Sequence, residues 1–239
     1  MEGYIDIHSH ILPGLDDGAD SLERTIRMLE IAYGEGIRTM IATPHYRESR
    51  KLIPIGYLEE TLGKVEDEIA HLLPDMKIYM GSEVFYSHNM LSLLRERKVP
   101  TLGGSRYVLV EFVYGIDFTS MKNGLQELLY GGYQPILAHG ERYPELMKDL
   151  EQVMELKEMG IAIQVNSMNI IRSFGKHRHA SSKKLFQHDL VDFLATDCHS
   201  DSIRAPVLKN TLAYLKKRYG DRYIEQLLVH NPKRILQNK

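Results

Sequence analysis

Eleven histidines stand in this sequence, and where they fall is more informative than their number. Imidazole is the commonest metal-ligating side chain and the one that changes charge near neutral pH. His8 and His10 close the first apolar run of the chain, His45 the second, Glu83 the third and Glu111 the fourth. His139 closes the fifth, Asn166 the sixth, and Asp197 with His199 the seventh. Residues two apart on a strand share a face, so His8 and His10 point together, and Asp197 with His199 repeats the device. Asp16, Asp17 and Gly18 form a turn beyond the first run, from which a carboxylate can reach back. These donors include no thiolate, which suits Mn, Fe or Zn, and they hold too many imidazoles for a Mg or Ca cage. Eight or nine ligands exceed what one ion needs. Two or three ions close together would use them, with a carboxylate such as Glu83 bridging. A buried carboxylate cluster without cations would be costly.

Three arginines trail the candidate ligands: Arg47 two residues after His45, Arg142 three after His139, and Arg204 five after His199. Guanidinium forks suit phosphate oxygens, although any one of them also reads as a surface salt-bridge partner. Cations plus arginines point to metal-assisted hydrolysis of a phosphoester. A bridging hydroxide, formed at neutral pH because two cations lower the water pKa, attacks phosphorus while metal and arginine hold the charge. Cys198 and Arg204 also show the C-x5-R spacing of cysteine-dependent phosphatases. The intervening residues contain no glycine, however, and Asp197 beside the thiol raises its pKa rather than lowering it. His71, His88, His188 and His230 read as structural hydrogen-bonders in or beside helices. His177 and His179 read as part of a solvated basic loop that could guide an anionic substrate.

The elements that must position these groups alternate along the chain. Short apolar runs at 4–7, 37–42, 77–80, 107–112, 135–138, 161–165 and 191–195 read as strands. Helical periodicity fills 21–36, 58–73, 90–97, 121–129, 144–159 and 206–219. Strand alternating with helix argues for an α/β fold with a parallel sheet of about seven strands. No Gly-rich phosphate loop follows the first strand, so a closed or distorted barrel is favoured over a dinucleotide-binding open sheet. The carboxyl ends of its strands converge on one face, where the ligands lie. The 239 residues are expected to form a single domain, 1–239.

Composition sets further expectations. With 30 Lys+Arg against 32 Asp+Glu, no global basic field favours nucleic acid. One cysteine excludes an intramolecular disulfide and fits a reducing, cytoplasmic home. The first residues do not read as a signal peptide, and no apolar run approaches the ~20 residues of a membrane helix.

The ordered motifs resemble those of a known family. They are Asp6-Ile7-His8-Ser9-His10, Asp16-Asp17-Gly18, Thr43-Pro44-His45, Gly81-Ser82-Glu83, Glu111-Phe112, Ala138-His139-Gly140-Glu141-Arg142 and Thr196-Asp197-Cys198-His199. The chain resembles the PHP (polymerase and histidinol phosphatase) superfamily, and within it the CpsB-type protein tyrosine phosphatases of bacterial capsule and exopolysaccharide loci. That resemblance implies a distorted (β/α)7 barrel holding three metals, typically manganese. It implies His8, His10, Glu83 and Asp197 around the first ion, Glu83, Glu111 and His139 around the second, and Asp17, His45 and His199 around the third. Arg142 and Arg204 match its phosphate-contacting arginines. It also implies a phosphotyrosine-bearing partner, a tyrosine kinase of polysaccharide export, and barrel surfaces of this kind often form homo-oligomers. Gly140 stands where the family commonly has a bulkier residue, and the stretch after Glu111 looks individual. Rival readings are a histidinol-phosphate phosphatase, a phosphodiesterase or exonuclease, and a non-catalytic phosphotyrosine-binding module.

Overall fold

The computed structural model describes residues 3–50, 52–171 and 176–238. Its strands, all paired in parallel, are β1 (Tyr4–Ser9), β2 (Ile37–Ala42), β3 (His45–Tyr46), β4 (Lys77–Met80), β5 (Glu83–Phe85), β6 (Tyr107–Glu111), β7 (Gln134–Leu137), β8 (Ala162–Asn166) and β9 (Phe193–Ala195). Between them lie α1 (Leu22–Gly34), α2 (Ile55–Ile69), α3 (Met90–Arg95), α4 (Phe118–Tyr130), α5 (Pro144–Lys148), α6 (Leu150–Glu158) and α7 (Lys176–Gln187). α8 (Lys209–Tyr219), α9 (Asp221–Glu225) and α10 (Asn231–Gln237) follow the last strand.

The strands form two sheets, ordered β1-β2-β4 and β3-β5-β6-β7-β8-β9. β3 continues β2 after two residues and β5 continues β4, so the two sheets run on as one curved wall of seven staves. The wall closes where the chain after β9 returns to β1: Asp197 N donates to His8 O at 2.9 Å and His10 N to Cys198 O at 2.9 Å. This is the distorted seven-stave barrel expected from the alternation of elements.

Two cores follow from strand alternation. Ile5, Ile7, Ile41, Leu109, Ile136 and Phe193 fill the interior with Ile235 of α10, while a larger core packs the outer strand faces against the helices. Period two then carries Leu109 to Glu111 and Ala195 to Asp197 at the mouth. β1 departs from strict alternation. Asp6 pairs with Met40 and Ser9 with Ala42, so three steps on β1 match two on β2. Such a bulge re-aims side chains. Ile7 stays in the core while His8 and His10 both turn to the mouth.

The helices follow ordinary rules. Ser21 caps α1, its side chain accepting from Arg24 N, and Thr25, Met28, Leu29 and Ala32 form the buried face. Two expectations need correction, and one helical region goes beyond them. The stretch 144–159 is two helices, broken at Asp149, whose side chain caps α6 by accepting from Glu151 N. His177 and His179 lie in α7 and not in a loop, because Ser182, Leu185 and Phe186 give that polar segment a buried anchoring face. The C-terminal turns α9 and α10, with the π-type turn Gln226–His230 between them, were not expected as helix; Ile235 from α10 reaches the barrel interior. Among the described residues, no helix is long and apolar enough to cross a membrane.

Candidate metal centre

The nine candidate ligands converge at the carboxyl ends of the staves. His8 Nε2 and His10 Nε2 each lie 3.3 Å from Glu83 Oε2, and 3.4 and 3.5 Å from Asp197 Oδ1. His45 Nδ1 approaches the same Glu83 oxygen at 2.9 Å, and His139 Nε2 meets Glu83 Oε1 at 2.8 Å and Glu111 Oε1 at 3.6 Å. Asp17, from the turn after β1, brings Oδ1 to 3.3 Å from His45 Nε2 and 3.6 Å from His199 Nε2. Three sets of ligand atoms are compact enough to hold an ion: His8, His10 and Asp197; His45, Glu83 and Glu111; and His10, Asp17, His45 and His199. The second differs from the set implied by resemblance, which has His139 in place of His45.

Electrostatics favours cations here. Glu83 is 1% exposed. Burial disfavours its charge, yet His8, His10, His139 and His45 outweigh burial and hold the carboxyl well below its usual range. Asp197 is held low in the same way against burial, by His8, His10, Arg142 and Arg204. Burial pushes His139 down to about 4 and His199 to about 3, which leaves both imidazoles neutral with a lone pair to offer. Glu83 Oε2, buried among three imidazole nitrogens, makes no hydrogen bond. Burial disfavours charge on His8, His10 and His45, yet Glu83, Asp197, Asp16 and Asp17 outweigh it and raise all three. The carboxylates thus draw positive charge onto the rings around Glu83, charge that a cation would supply in their place, and the donors fit one.

All three arginines reach the cluster. Arg142 Nη2 donates to Asp197 Oδ2 at 2.7 Å, and Arg204 Nη2 lies 2.9 Å from Asp197 Oδ1. Arg47 Nη2 donates to Glu111 Oε2 at 3.3 Å, its guanidinium 4.6 Å above the Phe85 ring. Cys198 is wholly buried, and burial, then the nearby Asp6 carboxylate, push its thiol up to about 12. It offers no thiolate, so the C-x5-R spacing is coincidental.

Residues that orient the ligands were only partly anticipated. His10 Nδ1 donates to Asp16 Oδ2 at 2.7 Å, and the same oxygen accepts from His45 N at 2.9 Å. The turn expected to send a carboxylate back over the mouth thus does so with Asp16, which meets His10 rather than standing among the ligands. Gln164, on the interior face of β8, was missed: Oε1 lies 3.1 Å from His8 Nδ1 and accepts from His139 N at 2.9 Å. Its amide donates to Asn166 Oδ1 at 2.7 Å, and Asn166 Nδ2 donates to Asp197 Oδ2 at 2.6 Å. These bonds set which imidazole nitrogen faces the centre. An interior polar residue two positions before Asn166 on a strand was the available signal. His139 and Asp197 both sit in the left-handed region, at φ 36° and 52°, a strained conformation that recurs at functional sites. Gly18 permits the Asp16-Asp17 turn, since a Cβ there would lie 2.1 Å from His10 O. At Gly140 a Cβ would meet Ile163 Cγ2 at 2.8 Å, so that departure serves packing against β8.

A closed parallel barrel whose mouth gathers imidazoles, carboxylates and arginines defines the class: an α/β barrel built around a candidate metal centre. The chain belongs to the CpsB/CapC family of capsular polysaccharide synthesis, whose model matches residues 4–237. It is 32% identical over 240 residues to the tyrosine-protein phosphatase CpsB of Streptococcus pneumoniae, covering 98% of this chain and 99% of that one. It is 33% identical over 245 residues to the tyrosine-protein phosphatase YwqE of Bacillus subtilis, covering 98% and 92%. A solved structure from work on YwqE and S. pneumoniae CpsB, described as unique metal-dependent tyrosine phosphatases, superposes with a TM-score of 0.89 at 30% identity, covering 98% of this chain and 95% of that chain. The Escherichia coli phosphotriesterase homology protein shares the fold alone, with a TM-score of 0.66 at 12% identity, covering 99% of each chain.

Proposed function

We propose that this chain is a metal-dependent protein-tyrosine phosphatase acting in capsular polysaccharide synthesis. One observation carries the chemistry: Glu83 Oε2 faces nitrogens of His8, His10 and His45 without a hydrogen bond, beside two guanidiniums gathered on Asp197. The relatives named tyrosine-protein phosphatases, matched over nearly their whole length, support the substrate.

In this reading the mouth holds three divalent ions, manganese first, with iron or zinc as alternatives. His8, His10, Glu83 and Asp197 would hold one, and Glu83, Glu111 and His139 a second. Asp17, His45 and His199 hold the third. Bound there, the ions supply positive charge and a water-derived nucleophile at neutral pH. The remaining work belongs to the chain. Arg142 and Arg204 release Asp197 in part to take phosphoryl oxygens, holding them in line and drawing off developing charge. Asp16 and Gln164 keep the ring nitrogens of His10 and His8 turned toward the centre. A tyrosine leaving group has a pKa near ~10, so its departure needs little help from a general acid. The partner in this reading is the phosphorylated kinase of a polysaccharide export system, and the compartment is the cytoplasm.

Phosphate release from a phosphotyrosine peptide, with manganese and then with excess chelator, tests the reading. Manganese-dependent release that chelator abolishes is expected. Release that survives chelator would overturn the metal chemistry. Release from histidinol phosphate alone would overturn the substrate.

A further inference from the structure

A second cleft opens directly beside the metal mouth. It encloses about 620 Å³, with Tyr114, Arg142, Met147, Lys148, His177 and Arg178 among its lining residues. Arg142 belongs to both sites: Nη2 holds Asp197, while Nε is buried without a hydrogen-bond partner. Glu141 also lines the cleft. Its Oε1 accepts from Asn166 N at 3.2 Å and from the Asn169 amide at 2.5 Å, and its Oε2 is buried and unpartnered. Lys148 is 2.6 Å from half-buried Glu145, and Arg178, an exposed residue of the first turn of α7, makes no ion pair among the described residues. Tyr114, 77% exposed, stands at the edge as a bare aromatic ring. An opening continuous with the phosphate-holding arginine, with an aromatic edge and basic side chains, suits a peptide strand with negative side chains.

We infer that this cleft receives the peptide flanking the phosphotyrosine and selects for acidic residues there, with Arg178 and Lys148 meeting the carboxylates. The inference rests on the phosphatase reading and specifies its substrate. The peptide would lie along the Tyr114 ring. Long, exposed cations contribute modestly one at a time, so two of them acting together give a preference of about fivefold.

The test compares p-nitrophenyl phosphate with phosphotyrosine peptides that differ only in glutamate, alanine or lysine flanks, using the manganese-loaded full chain and its Arg178→Glu and Lys148→Glu variants. The wild type is expected to favour glutamate over alanine flanks about fivefold in kcat/KM, through KM. Arg178→Glu should erase or invert that preference and leave p-nitrophenyl phosphate turnover unchanged. Equal rates on all three peptides, or a preference that survives both variants, would overturn the cleft while leaving the phosphatase intact. If no phosphoester is cleaved, the phosphatase reading itself fails. The cleft is then judged by fluorescence anisotropy of a glutamate-flanked phosphonate peptide: weaker binding to Arg178→Glu than to wild type upholds it, and equal binding overturns it.

Discussion

Replacing Asp16 by Asn should weaken metal binding while leaving every candidate ligand in place. Asp16 accepts three hydrogen bonds: from His10 Nδ1 at 2.7 Å, from His45 N at 2.9 Å, and from Gly18 N at 2.9 Å through its other oxygen. An asparagine has one oxygen and one amide nitrogen. If its oxygen turns to His10 and His45, the amide confronts the Gly18 N–H; if it turns to Gly18, the amide confronts His10 and frees the ring to adopt the other tautomer. Either way at least one charge-assisted bond is lost, worth roughly 1.5–3 kcal/mol. Removing the group that orients a ligating histidine typically costs about 10–100-fold in metal affinity, or roughly 1.4–2.8 kcal/mol. The assay is phosphatase activity titrated against buffered manganese, with calorimetry of metal binding to the chelator-treated protein. The manganese midpoint should rise by that factor, with near-wild-type kcat at saturating metal. An unchanged midpoint in a folded variant would refute the role given to Asp16. Gln164→Leu, which removes the acceptor facing His8 Nδ1, should shift the midpoint in the same direction.

Other outcomes follow from the same geometry. Cys198→Ser should keep full turnover, and iodoacetamide should leave the wild type active from pH 7 to pH 9. A thiol pushed up to about 12 stays protonated throughout, whereas an ordinary one near ~8.5 would react faster as pH rises; inactivation that tracks pH would contradict this. Arg142→Ala and Arg204→Ala should each lower kcat/KM by about 10²-fold without unfolding, and wild-type kinetics in either would remove that arginine from the site. Gly18→Ala should lower both the melting temperature and activity, by about 1–3 kcal/mol in stability, because its methyl would lie 2.1 Å from His10 O. A melt superimposable on wild type would show that the turn can shift at no cost.

The candidate ligands were legible because barrel topology sends the end of every strand to the same face. His8, Glu83, Glu111, His139 and Asp197 could be named from position alone: a donor placed just after a short apolar run is carried to the mouth by the strand preceding it. The helices with a buried stripe, α1 and α4 among them, were equally visible. Less was legible where the pattern was weak or the cause lay far along the chain. α7 looked like a loop because its first turns are almost wholly polar, and only three buried residues anchor it. Asp149 broke one expected helix in two because its side chain offers the backbone an alternative bond.

Residue types and spacing alone thus determined the fold class and the candidate donor set, and favoured a metal over a thiolate mechanism. Each depends on local order along the chain: period two in strands, the helical period between them, and which side chain ends each run. Tertiary structure decided which candidate donors lie close together, how they are oriented and what lies beside them. Asp16 meets His10 only because the turn folds back over the mouth. Gln164 meets His8 across 156 positions of sequence only because β8 faces β1 through the interior. Cys198 loses its chemistry because the barrel closes on it. Burial and through-space contact set these properties, and neither is written in the spacing of residues along the chain.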